Sequence, residues 1–232
     1  MRRTVHMAMM FAGAAALAAC APKPAPAPPP PAAKPAPAVV YIPSRPIPPN
    51  NAANTVLLPA RGMDGSFATI NRGMTGERAF WQMKIGLNVA AIGCRGPEEP
   101  VLVGAYNAFI KTHGKAISAN EKKVVAELGK AAGTTGVTER DRLSTKLFNY
   151  FAQPPAHDGF CARATELAQV VAATPAAQLI GNAAEQLPQL DQPFVDFYAA
   201  YAQYETDVAA WDARYGARAG TPAAPVASMT KP

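Results

Sequence analysis

The sequence predicts an all-α fold, and three observations lead to that prediction. Between residues 75 and 216, apolar side chains recur at spacings of three and four, which is the period of a helix with one buried face. Each of these segments has its own start and stop signals. No stretch in this range alternates apolar and polar residues between turns, as half-exposed strands do. We therefore predict one compact bundle of about six helices in a domain over residues 55–216.

The first predicted helices lie between residues 75 and 133. One runs from Thr75 to Gly96, and its inward face is Phe80, Met83, Leu87, Ala91 and Cys94. The next begins at Pro97, because proline is tolerated at the first helical position. Its inward face is Val101, Leu102, Ala105, Phe109 and Ile110. A capping box at 118–121 leaves two alternatives open, which are a separate helix from there to residue 133 or one long bent helix.

Three further helices are predicted after residue 137. The first opens at Thr138, turns Leu143, Leu147 and Phe151 inward, and is stopped by the prolines at 154–155. The second is capped by Asp158 and ends before residue 175. Its inward stripe is Phe160, Cys161, Ala164, Leu167, Ala168 and Val171. The third is a short Ala-rich helix that ends at residue 188.

The last predicted helix begins near Asp191, runs to Gly216 and carries an aromatic stripe. Its stripe residues are Phe194, Phe197, Tyr198, Tyr201, Val208, Trp211 and Tyr215. A stripe at this spacing is typical of a core face. The alternative is a platform on which sugar rings stack, to which Tyr204 would belong. Upstream of the helices, residues 39–42 and 55–58 are predicted to be extended segments laid across the bundle.

The N-terminus has the pattern of an export signal. Arg2 and Arg3 precede an apolar run over residues 7–19, which is too short to cross a hydrocarbon core of about 30 Å as a permanent helix. The run closes on Leu17-Ala18-Ala19-Cys20. This tetrapeptide resembles the lipobox of bacterial lipoproteins. The resemblance implies that residues 1–19 are removed and that Cys20 is lipidated; the alternative is ordinary secretory cleavage and a Cys20 without a role.

Ala21 is not the aspartate that retains enterobacterial members of this family in the inner membrane, so the resemblance favours the outer membrane, facing the periplasm. Residues 20–54 are predicted to be a tether, because 13 of the 24 prolines fall within residues 21–50 and large apolar side chains are scarce there. Residues 217–232 are predicted to be a disordered C-terminal tail.

The positive net charge of +6 comes from the ends of the chain. All 16 acidic residues lie within residues 62–216, against 14 of the 22 basic residues, which gives that span a net charge of 14 − 16 = −2. Nucleic-acid binding normally requires a clustered basic face, so we expect no nucleic-acid partner. We instead expect the lipid on Cys20 to hold the chain to the membrane.

Cys94 and Cys161 are the remaining cysteines, and we predict that they form a disulfide because an exported chain meets an oxidising compartment. The alternatives are two buried free thiols or a metal site. We expect no metal, because His113 and His157 show no ligand spacing with either cysteine in the sequence. No cofactor motif is found.

Few residues qualify as candidates for a ligand or catalytic site. Asn88 interrupts an apolar helix that leads to Arg95, and these two residues are predicted as a possible ligand contact; the alternative is close packing at Gly86 and Gly93 with Asn88 bonded to a buried carbonyl. Glu77 resembles the general acid of helical cell-wall glycosidases in its place near a helix end, but complementing the helix dipole explains it as well. We predict no catalytic residue.

The function predicted from the sequence is that of a membrane-anchored envelope lipoprotein with a non-catalytic binding or scaffold role. Its partner would be another envelope protein or cell-wall glycan. Two alternatives stay open, a cell-wall hydrolase and a small-ligand carrier. An open cleft with two carboxylates at glycosidase separation would favour the hydrolase, and an enclosed apolar cavity would favour the carrier.

Overall fold

The computed structural model describes residues 41–132 and 135–219, and the helical unit begins at Ile42. The described residues contain five α-helices and no strand: α1 (Gly76–Gly93), α2 (Glu99–Ala132), α3 (Gly136–Phe151), α4 (His157–Ala173) and α5 (Leu179–Ala219). Two short 3-10 helices, Pro49–Asn51 and Pro154–Ala156, lie in the connections. The prediction of an all-α fold with a disulfide is confirmed, with five helices in place of about six.

Helix α1 lies at the centre of the bundle and contacts all four other helices. Its predicted inward residues Phe80, Met83 and Leu87 are fully buried. Burial extends around the helix to Trp81, Gln82, Ile85 and Val89. A helix that is apolar on most of its circumference is stable only when other elements cover it. The sequence of α1 therefore places it inside the bundle.

Helix α2 is one continuous helix of 34 residues, which decides between the two alternatives left open for residues 118–133. Its buried residues are Leu102, Tyr106, Phe109, His113, Asn120 and Val124. Val101 and Ile110 are 44% and 37% exposed, so their predicted inward position is wrong. The buried stripe runs through a tyrosine, a histidine and an asparagine, and hydropathy alone gives such residues little weight.

Helix α5 continues through Pro188 and Pro193, so the predicted stop at residue 188 and new start near Asp191 are wrong. A proline inside a helix costs about 3 kcal/mol. Around the two prolines, Leu187, Leu190 and Phe194 are fully buried. Burial of such a side chain stabilises by about 1.5–3 kcal/mol, so three of them supply about 4.5–9 kcal/mol against about 6 kcal/mol for the two prolines. Packing thus explains why the helix continues.

Residues 42–58, here called the N-terminal strap, lie against α5. The indole Nε1 of Trp211 donates to the Pro43 carbonyl at 2.9 Å. The Tyr201 hydroxyl donates to the Ala53 carbonyl at 2.9 Å and accepts from the Val56 amide at 3.1 Å. The predicted boundary between tether and domain at residue 54 therefore falls inside a segment that is bonded to the bundle, and the aromatic stripe of α5 holds this segment.

At Gly86, side chains from α3 and α5 pack directly against α1. A Cβ atom there would lie 2.6 Å from Leu190 Cδ2 and 2.9 Å from Phe151 Cζ. We expect Gly86→Ala to lower the free energy of unfolding by about 1–3 kcal/mol, because overpacking a close-packed core displaces side chains. Gly104→Ala is the matched control, since Gly104 is exposed on α2 with open space at its Cβ and should gain up to about 1 kcal/mol. Urea denaturation of both variants measures the two changes.

Candidate functional site

A disulfide joins Cys94 and Cys161, as the sequence predicts, and their Cα atoms are 5.6 Å apart. Cys94 is the residue that ends α1, and Cys161 lies in the second turn of α4. The bond therefore connects the central helix to a peripheral one. Cys94 is buried and Cys161 is half-buried, so the second sulfur is nearer to solvent.

His157 lies against this disulfide, which corrects the expectation that it has no ligand spacing with a cysteine. His157 is four residues before Cys161 on α4, and residues four apart lie on one helical face. Its Nε2 atom is 3.6 Å from Cys161 Sγ. Its Nδ1 atom is 3.4 Å from Asp158 Oδ1. One ligand atom from each of Cys94, His157 and Cys161 lies within 4.8 Å of the other two.

An open depression adjoins this cluster and is here called the acidic groove. It has a volume of about 740 Å³. Four segments meet in it, namely the two 3-10 helices, α4 and α5. The residues used below are Asn50, Asp158, Arg163, Glu166, Gln192 and Asp196. Prolines from three of the segments, Pro49, Pro154, Pro155 and Pro193, form part of its walls.

One side of the acidic groove is held in an uncommon backbone conformation. Asn50 and Asn51 both have positive φ angles, of 52° and 54°. Asparagine enters this left-handed region more readily than other residues with a Cβ atom. The Asn50 side chain donates from Nδ2 to the Pro155 carbonyl at 2.6 Å. That hydrogen bond fixes the N-terminal strap to the connection between α3 and α4.

The rim of the groove carries three carboxylates and one guanidinium, so its formal charge is 1 − 3 = −2. Arg163 pairs with Glu166 at 2.6 Å, and Gln192 donates to Asp196 at 2.7 Å. Asp158, Glu166 and Asp196 are all exposed. None of the three lies in the apolar enclosure that a general acid needs in order to stay protonated. The geometry is that of an open, polar and acidic contact surface.

The two residues predicted as a possible ligand contact are not brought into one site. Asn88 donates from Nδ2 to the Tyr106 hydroxyl at 2.9 Å, so it links α1 to α2 through a side chain and not through a buried carbonyl. Arg95 donates to the Cys94 carbonyl and pairs with Glu99. The two line different depressions. The predicted packing at Gly86 is observed, whereas Gly93 has open space around it.

Glu77 is held as a carboxylate. Burial raises its pKa, but hydrogen bonds from Lys123 and Asn120 and the charge of the lysine more than offset this, so the pKa of Glu77 is lowered. Asn120 donates to both the side chain and the backbone carbonyl of Glu77. A general acid requires the opposite shift. Glu77 therefore acts as a link between the start of α1 and the middle of α2.

This lowered pKa predicts how Glu77 contributes to stability at different pH. A carboxyl group whose pKa is depressed by folding stabilises the fold above its unfolded pKa, and that contribution is lost as pH falls through the folded pKa. We expect Glu77→Gln to lower the free energy of unfolding by about 1–2 kcal/mol at pH 7 and by much less near pH 3. Urea denaturation at both pH values measures the difference. Glu205→Gln, at an exposed position of α5, should change little at either pH.

Most of the aromatic stripe of α5 packs inside the molecule. Phe194, Phe197, Tyr198 and Tyr201 are buried in the core. Tyr204 is buried as well, and its hydroxyl lies 3.3 Å from Asn54 Oδ1 in the strap. Trp211 is bonded to the strap as described above. The stripe is therefore a core face that also receives the strap, in agreement with the first of its two interpretations.

His113 lies in the middle of α2 and is only 4% exposed. Its ring lies beside that of Phe109, with the ring centroids 5.7 Å apart. It is therefore a core residue of α2.

Sequence reasoning also missed a buried carboxylate. Asp191 on α5 is 6% exposed and accepts hydrogen bonds from Thr69 Oγ1 at 2.6 Å, Asn71 Nδ2 at 2.6 Å and the Tyr150 hydroxyl at 2.7 Å. Burial raises the pKa of Tyr150, and the charge of Asp191 raises it further, so the phenol remains a donor. The sequence signal for this burial is the position of Asp191 among Leu187, Leu190 and Phe194, which lie on the buried face of α5.

Cys20, on which the lipidation prediction rests, lies outside the described residues. Among the residues that are described, no helix is both long and apolar enough to cross a membrane. Comparison with known proteins adds no relative: no family model, curated protein or solved structure matches this chain.

Proposed function

We propose that the chain is an envelope lipoprotein held to a membrane by lipid on Cys20, and that its helical domain is a non-catalytic binding module. The lipobox-like Leu17-Ala18-Ala19-Cys20 and the Pro/Ala-rich residues after it support the anchor. The N-terminal strap supports a fixed connection between the anchor and the domain. Residues 42–58 are hydrogen-bonded along α5, so the chain joins the domain at a defined place.

The acidic groove is the observation that carries the binding role. It is an open depression of about 740 Å³, it lies where the strap meets α4 and α5, and its polar side chains are exposed. A rim with a net charge of −2 attracts a partner that presents cationic groups. We therefore propose that the groove contacts a basic segment of another envelope component. We also propose that the protein lies at the outer membrane and faces the periplasm.

The two alternative functions receive less support from the geometry. A glycosidase needs one carboxyl group with a raised pKa, and the carboxylates of the groove are exposed while Glu77 is held ionised. A small-ligand carrier needs an enclosed apolar cavity, and the depressions lined by Gln192, by Arg95 and by Asn88 are open to solvent and partly polar. A binding surface requires neither feature.

Photocrosslinking in cells tests the proposal. A photoreactive amino acid at Gln192 places the probe in the acidic groove, and the same amino acid at Gln203 places it on α5 about 16 Å further along. We expect a discrete crosslinked product from position 192 and none from position 203. The triple variant Asp158→Asn, Glu166→Gln, Asp196→Asn should reduce the product at least tenfold, because it removes the negative rim.

Two results would contradict this function. Equal crosslinking from both positions would mean that the groove has no partner of its own. Absence of any product, combined with turnover of purified cell wall by the intact protein, would favour the hydrolase instead.

A further inference from the structure

We propose that the reduced form of this protein binds one zinc ion through Cys94, His157 and Cys161, and that closing the disulfide expels the ion. The proposal concerns the cluster at the ends of α1 and α4, which shares only Asp158 with the part of the acidic groove used above. It would make the cysteine pair a redox-switched metal site as well as a structural bond.

The chemistry of the three donors fits zinc. Zinc in proteins is bound tetrahedrally by thiolate sulfur and imidazole nitrogen, and two cysteines with one histidine form a known type of donor set. Two thiolates and one divalent ion together carry no net charge. Such a neutral unit can be placed beside the buried Cys94 without the large cost of burying a net charge.

The distances between the donor atoms also fit. A sulfur at about 2.3 Å and a nitrogen at about 2.0–2.1 Å from one tetrahedral zinc ion are separated by about 3.6 Å. Cys161 Sγ and His157 Nε2 are 3.6 Å apart. In the reduced form, rotation of the two cysteine side chains would bring the sulfurs to the separation of about 3.8 Å that two thiolates on zinc require.

The surroundings supply the remaining parts of a metal site. Asp158 Oδ1 lies 3.4 Å from His157 Nδ1, and that nitrogen is 3.8 Å from Cys161 Sγ. A rotation of the imidazole would direct Nε2 to the sulfurs while Nδ1 faces the carboxylate, which is the usual arrangement around metal-bound histidines. A depression of about 210 Å³, lined in part by Pro97, Glu98 and Leu102, opens beside the three donors. It leaves the fourth position of the ion open to water.

The switch needs a dithiol as reductant. A thiolate of the dithiol attacks Cys161 Sγ, the more accessible sulfur, and Cys94 leaves as a thiolate. The second thiol of the reductant then attacks the mixed disulfide, which releases Cys161 and closes the reductant's own disulfide. Two electrons pass to the cysteine pair. Zinc binding displaces any protons held by the two sulfurs. A small disulfide reverses these exchanges and sets the ion free.

Zinc titration of the full chain in detergent tests the proposal, with Cys20→Ser in every sample so that no third thiol competes. We expect the dithiol-reduced chain to bind one Zn²⁺ in competition with a chromophoric chelator, and the oxidised chain to bind none. Co²⁺ in place of Zn²⁺ should give thiolate-to-metal charge-transfer absorption in the reduced chain alone. Far-UV circular dichroism should show that the reduced chain with zinc is as helical as the oxidised chain.

Two variants separate this site from adventitious binding. His157→Gln should weaken zinc affinity at least about 100-fold, since even the loss of a residue that only orients a ligand costs 10- to 100-fold, which is the effect expected for Asp158→Asn. Glu205→Gln changes an exposed carboxylate on α5 and should leave affinity unchanged. The proposal is overturned if the reduced chain binds no zinc, if the oxidised chain binds it equally, if His157→Gln matches Glu205→Gln, or if reduction abolishes helicity that zinc does not restore.

Discussion

Replacing both Cys94 and Cys161 by alanine is expected to lower the free energy of unfolding by about 4 kcal/mol. The disulfide closes a sequence separation of 67 residues, and the chain-entropy model assigns a loop of this size about 4 kcal/mol. Small domains are stable by only about 5–15 kcal/mol in total. The bond therefore supplies a large part of the stability of a bundle whose central helix it joins to α4.

Guanidinium denaturation of the double variant and of the parent chain measures this loss. Cys20→Ser is the control, because it replaces a cysteine that takes no part in the Cys94–Cys161 bond and should leave the unfolding midpoint unchanged. A double variant as stable as the parent would show that packing of α1 against α4 suffices without the bond.

Replacing Asp191 by alanine is expected to cost at least about 3 kcal/mol. The carboxylate accepts hydrogen bonds from Thr69, Asn71 and Tyr150, and two of these three donors belong to buried residues. Each buried donor left without a partner costs about 1–3 kcal/mol. The contributions need not add, because the three donors share one acceptor. The change releases the segment before α1 from α5 as well as the end of α3.

Thermal and chemical unfolding of three variants checks this expectation. Asp191→Asn keeps one acceptor oxygen and should lose less than Asp191→Ala. Asp196→Ala lies on the same helix at an exposed position and should change stability by less than about 0.5 kcal/mol. Similar losses for Asp191→Ala and Asp196→Ala would contradict a structural role for the buried carboxylate.

The elements that sequence reasoning predicted well are those with strong local signals. For α1, α3 and α4, apolar periodicity and nearby stop residues agree, and residues such as Phe80, Leu147 and Phe160 are buried as expected. Helix α5 differs, because a local rule about Pro188 competes with burial of Leu187 and Leu190. Proline carries a local cost that is visible in the sequence, while the packing that offsets it depends on helices far away in the chain.

The candidate sites divide in the same way. The Cys94–Cys161 pairing follows from an even cysteine count and an export signal, and it is present. The spacing of four residues between His157 and Cys161 predicts that they lie close together on one helical face, although the sequence-based expectation for His157 did not use it. The acidic groove has no sequence signature, because it forms only when the strap, the connection after α3, α4 and α5 come together. Asp191 was hidden for a similar reason, since its donors lie about 120 and 41 residues away.

The proposed function has two parts, which are the lipid anchor and the acidic groove. The lipid on Cys20 would hold the chain to a membrane, and the Pro/Ala-rich residues would set its distance. The strap that follows is bonded to α5 at Trp211, and further along the strap Asn50 and Asn51 line the acidic groove. The proposed role at the membrane depends on the lipid anchor at Cys20.

Mass spectrometry of the protein purified from bacterial membranes is the most direct test of that anchor. We predict a chain that begins at Cys20, lacks residues 1–19 and carries a diacylglyceryl group with a further acyl chain at its N-terminus. Cys20→Ser should abolish the lipid mass and release the protein from the membrane fraction. A chain cut near the same place without lipid, or one that retains residues 1–19, would contradict the account.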